Sequence, residues 1–172
     1  MTAEKAYVRP YLDTSVYIAA IKGPTTEDPE RVKRSAQVLM EAEAGRLQVI
    51  ASTFILVEVI RDRGEPAPLD PSKESLVENF LQRQFISWVE LDVSGGREAR
   101  KLARRLNLKP ADAVHLAAAT RGKADAFLTW DERLIDRTAG DVDGLAVTFP
   151  YVPQGAQGRL PLEYFEPTPS GE

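Results

Sequence analysis

The fold is decided by residues 6–18, AYVRPYLDTSVYI, in which an apolar run passes directly into a polar helix start. Residues 6–12 predict a short buried strand, although Pro10 suits an edge strand or a backbone position with an unpaired N–H. The polar triplet at 13–15 opens a short helix, which the Gly-Pro pair at 23–24 ends. The chain therefore begins as a strand followed by a helix, with an acidic residue at the junction.

The same alternation of strand and helix continues along the chain. Further strands are predicted at residues 47–51, 85–91, 125–130 and 145–149. Further helices are predicted at residues 29–44, 53–63, 72–84, 94–106, 110–122 and from 131. Strands that alternate with helices predict a parallel sheet covered on both faces, here a three-layer α/β/α fold with four to five strands. In such a sheet, sites form beyond the carboxyl ends of the strands, near a switch in strand order.

Length and composition fit one domain. The 172 residues are enough for one substantial core, and we place the domain at residues 1–150, followed by a Pro- and Gly-richer tail at 151–172. No apolar stretch is long enough to span a bilayer, and the N-terminus lacks the pattern of a secretory signal. Cysteine is absent, which excludes disulfides, thiolate nucleophiles and Cys-based zinc sites and fits a cytoplasmic protein.

Charge alone leaves the function open. A net charge of −4 argues against a generally basic nucleic-acid binder. The same value is compatible with an acidic site that holds divalent cations and acts on a polyanion. It is equally compatible with a protein that never contacts nucleic acid, so the acidic residues must be considered one by one.

Four acidic residues, Asp13, Glu58, Asp112 and Asp131, lie inside or directly beside apolar segments. Acidic side chains are rarely buried unless they are paired or bound to a metal. Two carboxylates about 4 Å apart repel each other by roughly 4 kcal/mol at an effective dielectric constant of 20, and a divalent cation removes that repulsion. Oxygen ligands suit Mg²⁺ or Mn²⁺, and the single histidine excludes a His-rich zinc site. The four residues therefore predict a shared acidic pocket that needs a cation.

Each acidic residue also has a simpler explanation when taken alone. Asp13 and Asp131 are good N-caps, and Asp112 suits the first turn of a helix without any chemistry. Glu58 lies at helical spacing from Arg61 and can pair with it, although the apolar residues on both sides disfavour that. All four explanations must hold together for the acidic pocket to disappear.

Basic and aromatic residues give signals that remain open. Arg97, Lys101 and Arg104 lie along one helix, where they form either a phosphate track that leads RNA to the acidic residues or an ordinary solvated helix face. Trp130 either stacks on a base or belongs to the core. His115, one turn beyond Asp112, is more typical of a packed or hydrogen-bonded residue than of a metal ligand.

Several other enzyme classes lack their signatures in this chain. The first strand is not followed by the glycine-rich turn of a dinucleotide-binding fold, and no P-loop or nucleophile elbow is present. A phospho-acceptor signalling domain has adjacent acidic residues after its first strand and a lysine after its last, whereas here Asp13 stands alone and Phe149-Pro150 closes the last strand. A catalytically silent domain that binds RNA or protein remains an alternative.

Four short segments, in this order, carry a family resemblance: LDTS at 12–15, LVE at 56–58, PADA at 110–113 and LTWD at 128–131. The chain resembles PIN-domain ribonucleases, most closely the toxins of VapBC-type toxin–antitoxin pairs, over about residues 6–150. The resemblance implies a PIN-like α/β/α fold and a ribonuclease that uses Mg²⁺ or Mn²⁺. It also implies a small antitoxin that fills the acidic pocket, and a homodimer. A PIN nuclease that processes RNA without an antitoxin is the alternative.

The resemblance also implies roles for individual residues. It makes Asp13, Glu58, Asp112 and Asp131 the acids of the metal site. Hydroxyl groups of Thr14 or Ser15, and of Thr129, are expected to orient these carboxylates.

Overall fold

The computed structural model describes residues 8–22, 28–59 and 71–152. The strands are β1 (Pro10–Leu12), β2 (Val49–Ser52), β3 (Ile86–Val89), β4 (Ala126–Leu128), β5 (Asp141–Val142) and β6 (Leu145–Thr148). The helices are α1 (Thr14–Lys22), α2 (Pro29–Glu43), α3 (Ile55–Glu58), α4 (Pro71–Leu81), α5 (Val93–Leu106), α6 (Pro110–Arg121) and α7 (Glu132–Thr138). The predicted three-layer α/β/α fold with a mostly parallel sheet is confirmed.

The strand order explains where a site can form. The order is β3-β2-β1-β4-β6-β5, and every pairing is parallel except that of β5 with β6. From β1 the chain builds outward through β2 to β3 and then returns to place β4 on the other side of β1. The direction of building therefore switches between β1 and β4, which opens a crevice beyond their carboxyl ends.

Of the two positions that suit Pro10, an edge strand or an unpaired N–H, the structure excludes the edge strand and fits the second. Pro10 lies in β1, which is central in the sheet, and it pairs with Ala126 of β4. It is the first residue of the strand, and the register with β2 is carried by Tyr11 opposite Ile50. The first position of a strand tolerates proline because its missing N–H removes little from the ladder.

The core fills the space between the sheet and its helices. In its centre the ring of Tyr11 stacks on that of Phe127, with centroids 5.1 Å apart and planes 8° from parallel. Helix α6 approaches the sheet closely at its end, where a Cβ on Gly122 would lie 2.4 Å from Cγ2 of Ile50 and 2.9 Å from Cγ2 of Val89. Only glycine fits this contact without displacing its neighbours.

Two further predictions about secondary structure are corrected. The helix that carries Glu58 is a single turn, not a longer helix ending near residue 63, and residues 60–70 lie outside the described part. Leu56 and Val57 are 46% and 62% exposed whereas Ile55 and Val59 are buried, so the apolar run around Glu58 is buried only in part. The sequence analysis also missed β5, which forms a hairpin with β6 across Asp143 and Gly144, both at positive φ.

The boundary at residue 150 stays a prediction. Tyr151 and Val152 pack partly against the core, and the rest of the proposed tail, from residue 153, lies outside the described residues. None of the helices in the described part of the chain is long and apolar enough to cross a membrane.

Candidate active site

The crevice between β1 and β4 receives acidic residues from neighbouring elements. Asp13 directly follows β1, and its backbone N–H donates to the carbonyl of Leu128 at the end of β4, at 2.9 Å. Asp131 follows the same strand after two residues, and Asp112 lies in the first turn of α6. Burial, and then the charges of Asp13 and Asp131, raise the pKa of Asp112 above its ordinary value. Asp112 is therefore close enough to Asp13 and Asp131 to be repelled by both.

Asp13 is held by two hydroxyl groups at the same oxygen. Its Oδ2 accepts hydrogen bonds from Oγ of Ser15 at 2.7 Å and from Oγ1 of Thr129 at 2.9 Å. These hydroxyls in turn accept backbone N–H groups, from Trp130 and Asp131 respectively, each at 3.0 Å. Because the N–H groups occupy hydroxyl lone pairs, both hydroxyl protons turn to Oδ2, and Oδ1 of Asp13 is left for another partner.

The Thr14 hydroxyl binds Glu58, whereas the Ser15 hydroxyl binds Asp13. The Thr14 hydroxyl donates to Oε2 of Glu58 at 2.5 Å, and the same oxygen lies 2.6 Å from Nε2 of His115. Burial would raise the pKa of Glu58, but the hydrogen bonds from His115 and Thr14 outweigh burial and lower it. Glu58 is therefore ionised in its place, with Oε1 not engaged by either partner.

His115 is fixed from its other side by Tyr11. The Tyr11 hydroxyl lies 2.7 Å from Nδ1 of His115 and accepts the backbone N–H of Ser52 at 3.3 Å. Burial, foremost, raises the pKa of Tyr11, so the phenol keeps its proton. It donates that proton to Nδ1 when His115 is neutral and accepts the Nδ1–H when His115 is protonated. In both states Nε2 carries a hydrogen and donates it to Glu58.

Burial and the neighbouring carboxylates shift the pKa of His115 in opposite directions. Burial lowers the pKa of His115, but the hydrogen bond to Glu58 and the nearby carboxylates of Asp13 and Asp112 raise it above the ordinary value. The side chain is 2% exposed. His115 is a packed, hydrogen-bonded residue, as expected from the sequence. That it orients Glu58, and that Tyr11 orients it in turn, was not predicted. The sequence signal for His115 was its spacing of one helical turn from Asp112.

Asp131 caps a helix, which is the simpler of its two predicted roles, and it does so with only one of its two carboxylate oxygens. Its Oδ1 caps α7 by accepting the backbone N–H groups of Arg133 at 2.9 Å and Leu134 at 3.3 Å. Within the described residues its Oδ2 has no hydrogen-bond partner, and neither carboxylate oxygen of Asp112 has one. The cap fixes Asp131 at the crevice without using both of its oxygens.

The family model of the PIN domain matches residues 11–141. The chain belongs to the PIN domain family. PIN domains are generally nucleases and typically use divalent metals, so the broad assignment is a hydrolase acting on nucleic acids. No curated protein sequence matches the chain.

Solved structures share the PIN fold with this chain at low sequence identity. One is a chain of a toxin–antitoxin complex from Klebsiella pneumoniae, with 18% identity and a TM-score of 0.55 over 83% of this chain and 98% of that chain. Another belongs to VapBC2 from Rickettsia felis bound to a promoter DNA fragment, with 15% identity, a TM-score of 0.58, and coverage of 81% and 97%. A third belongs to FitAcB from Neisseria gonorrhoeae, with 18% identity, a TM-score of 0.53, and coverage of 82% and 97%.

The donor set of this PIN domain fits a hard divalent cation. The oxygens without a hydrogen-bond partner among the described residues are Oδ1 of Asp13, Oε1 of Glu58, the carboxylate of Asp112 and Oδ2 of Asp131, all of them ligands that Mg²⁺ and Mn²⁺ prefer. Oδ1 of Asp13 also lies 4.0 Å from Nε2 of His115. The raised pKa of Asp112 reports a repulsion that a cation would relieve. In the residues that the structure describes, however, no three His, Asp or Glu side chains are drawn together tightly enough to hold a metal ion. Binding therefore requires the free carboxylates to close in.

The predicted basic track and base-stacking residue do not join the acids. Arg97, Lys101 and Arg104 are exposed on α5, and no contact links them to the four acids among the described residues. Trp130 is 9% exposed, and its indole N–H donates to Oγ of Ser35 at 2.8 Å. Of the two readings of Trp130, the structure favours the core.

Proposed function

We propose that this PIN domain is an RNA endonuclease that depends on Mg²⁺ or Mn²⁺ and is the toxin of a toxin–antitoxin pair. The observation that carries the proposal is the placement of three aspartates at the switch point of the sheet: Asp13 follows β1, Asp131 follows β4, and Asp112 lies in the first turn of α6, near enough that the charges of the other two raise its pKa. Asp13 and Asp112 are central in this proposal, and Asp131 acts through water.

The residues of the chain orient the reaction. A bound divalent cation supplies a polarised water and stabilises charge on the leaving oxygen. Ser15 and Thr129 hold Asp13 through Oδ2 and leave Oδ1 without a hydrogen bond, and His115 and Thr14 hold Glu58 in its ionised form. Attack by water with departure of the 3′-oxygen leaves a 5′-phosphate and a 3′-hydroxyl, so no protein nucleophile is required.

The substitution Asp13→Asn tests this proposal. It keeps the size of the side chain and its hydrogen-bonding oxygen but removes the charge, so cleavage of a defined RNA in Mg²⁺ should be lost while the melting temperature is kept. Asp136→Asn is the matched control, because Asp136 is an exposed acid on α7. Addition of a chelator should stop the wild-type reaction, and added Mg²⁺ should restore it. Cleavage by Asp13→Asn at the wild-type rate, or cleavage that resists the chelator, would remove the mechanism.

An antitoxin partner is part of the proposal. Support comes from the fold shared with chains of the VapBC2 and FitAcB complexes. A groove of about 200 Å³ between α1, α2 and α4 offers a surface for such a partner, since its lining is largely apolar and includes Tyr17.

A homodimer is likewise proposed. Support comes from exposed apolar side chains that follow the carboxyl ends of the paired strands β2 and β3, namely Leu56, Val57, Leu91 and Val93. Sedimentation of the purified chain tests the dimer.

If a neighbouring reading frame encodes a small DNA-binding protein, adding that protein to the cleavage assay tests the toxin assignment, and full activity in its presence would contradict it.

A further inference from the structure

A basic depression borders the acidic crevice. It has a volume of about 440 Å³ and is lined by Arg31, Lys109, Trp130, Asp131, Glu132 and Arg133. Its three cationic side chains come from three places in the fold: α2, the turn between α5 and α6, and α7. Asp131 belongs both to this depression and to the acidic crevice, so the two are contiguous.

One of the cations is positioned by the buried indole. The guanidinium carbon of Arg31 lies 5.5 Å from the centre of the Trp130 ring, and that of Arg34 lies 5.2 Å away. The indole is itself fixed by its hydrogen bond to Ser35 and by stacking on Phe149, with ring centroids 5.5 Å apart. A guanidinium that rests on a fixed aromatic ring loses less conformational freedom when it binds an anion.

Acidic side chains lie beside the cations of the depression, and Arg31 has partners of its own. The pair formed by Arg31 and Glu132 has an N···O distance of 4.0 Å, and Glu132 is 71% exposed, so the contact is a weak surface pair. Lys109 is exposed at the start of α6, close enough to Asp112 that its charge opposes the rise in the pKa of that residue. Lys109 therefore lines the basic depression and also lies near Asp112.

We propose that Arg31, Lys109 and Arg133, here called the basic cradle, bind phosphate groups of the RNA strand next to the bond held at the acids. The inference rests on the proposed nuclease function and names how its substrate is held. Guanidinium groups bind phosphate oxygens in a bidentate fashion, and the lysine adds a point charge. Because Trp130 is buried, the cradle contacts the backbone and not the bases, so its contribution is independent of RNA sequence.

The test measures binding of the full chain to short labelled RNA oligonucleotides by fluorescence anisotropy, in chelator so that nothing is cleaved. Lys109→Gln and Arg133→Gln should each weaken binding and lower the slope of log affinity against log salt by about 0.7, the value for one phosphate contact on a single strand. The loss should be the same for oligonucleotides of different sequence. A loss confined to one sequence would overturn the backbone assignment.

Matched control variants lie on α5. Arg97→Gln and Lys101→Gln remove the same charge from equally exposed side chains and should leave the slope unchanged. A slope that falls for the α5 variants and not for the cradle variants would overturn the proposal. Equal affinity of the wild type for RNA and for polyglutamate of matched charge would overturn it too, in favour of an unspecific anion surface. If the chain shows no metal-dependent cleavage, the nuclease proposal fails separately, because the binding result is obtained without metal.

Discussion

Two buried tyrosines provide a matched test of the hydrogen-bond chain behind the acids. Tyr11 and Tyr17 are 0% and 1% exposed, and both rings pack against phenylalanine rings. They differ in their hydroxyls. That of Tyr11 bonds His115 at 2.7 Å and Ser52 at 3.3 Å, whereas that of Tyr17 has no partner in the part of the chain that the structure describes. Replacing each by phenylalanine removes one oxygen and leaves the ring packing in place.

The two substitutions should change the free energy of unfolding by clearly different amounts, or in opposite directions. Tyr11→Phe leaves Nδ1 of His115, and the weaker donor on Ser52, without partners in the interior, which costs about 1–3 kcal/mol of unfolding free energy. Tyr17→Phe removes a polar atom that is buried without a partner, so its effect should be close to zero or stabilising by up to about 1 kcal/mol. The difference between the two variants is therefore at least about 1 kcal/mol, which chemical denaturation resolves.

The assay is urea unfolding of the purified chain, followed by fluorescence. Free energies of unfolding are compared between proteins for which this free energy falls with urea concentration at the same slope. RNA cleavage is measured in parallel. Without the Tyr11 hydroxyl, the imidazole of His115 is no longer held at Nδ1, so it should orient Glu58 less well. Tyr11→Phe should therefore lose activity, and Tyr17→Phe should keep it. Equal destabilisation by the two substitutions would refute the hydrogen-bond chain, as would full activity in Tyr11→Phe.

Three other predictions concern the stability of the folded chain, and the first two of them concern the acidic residues in the absence of metal. Folding raises the pKa of Asp112, so its contribution to stability is present below the ordinary carboxyl pKa and is lost as pH rises through the folded value. Denaturation curves in chelator should show that loss, and Asp112→Asn should abolish it. Folding lowers the pKa of Glu58, so its contribution is present above the ordinary value and is lost as pH falls, and Glu58→Gln should remove that acid-side loss. Gly122→Ala forces a methyl group against Ile50 and should lower stability by about 1–3 kcal/mol, seen as a lower melting temperature; an unchanged melting temperature would contradict the close contact of α6 with the sheet.

Local sequence signals were enough for the layers of the fold and for two of the acids. Asp13 and Asp131 follow short apolar strands, and parallel strands end at the same edge of a sheet. Their proximity was therefore predictable once the strands were recognised. The caps were equally local: Asp28 accepts the N–H of Glu30 at 2.9 Å, and Gly45 with φ +76° follows the end of α2.

Features that depend on distant parts of the chain were not predictable from one sequence. Pro10 occupies a central strand because the order of strands, which its own neighbours do not encode, places β1 in the middle. The pairing of Glu58 with His115 joins residues 57 apart, and no local pattern marks it. Strand β5 did have a signal, since an Asp-Gly pair at 143–144 is typical of a two-residue hairpin turn, but the strand itself is only two residues long.

The alternatives left open for Trp130 and for the basic residues could not be decided from the sequence for the same reason. Trp130 next to a turn gives no indication of burial until Ser35 and Phe149 are brought against it by the packing of α2 and β6. Basic residues on one helix face are visible in the sequence, as on α5. A cluster such as Arg31, Lys109 and Arg133, assembled from three elements, becomes visible only in the fold.

Cation binding by the acids tests the central claim most directly, and it needs no RNA. Thermal unfolding with increasing Mn²⁺ should show a rising melting temperature for the wild type and for Asp136→Asn, because an ion that binds only the folded state stabilises it, by about 2.7 kcal/mol at a hundredfold excess over its dissociation constant. Asp13→Asn and Asp112→Asn should lose most of that rise. A wild type that does not respond to Mn²⁺, or four proteins that respond equally, would contradict the claim that these carboxylates share a cation.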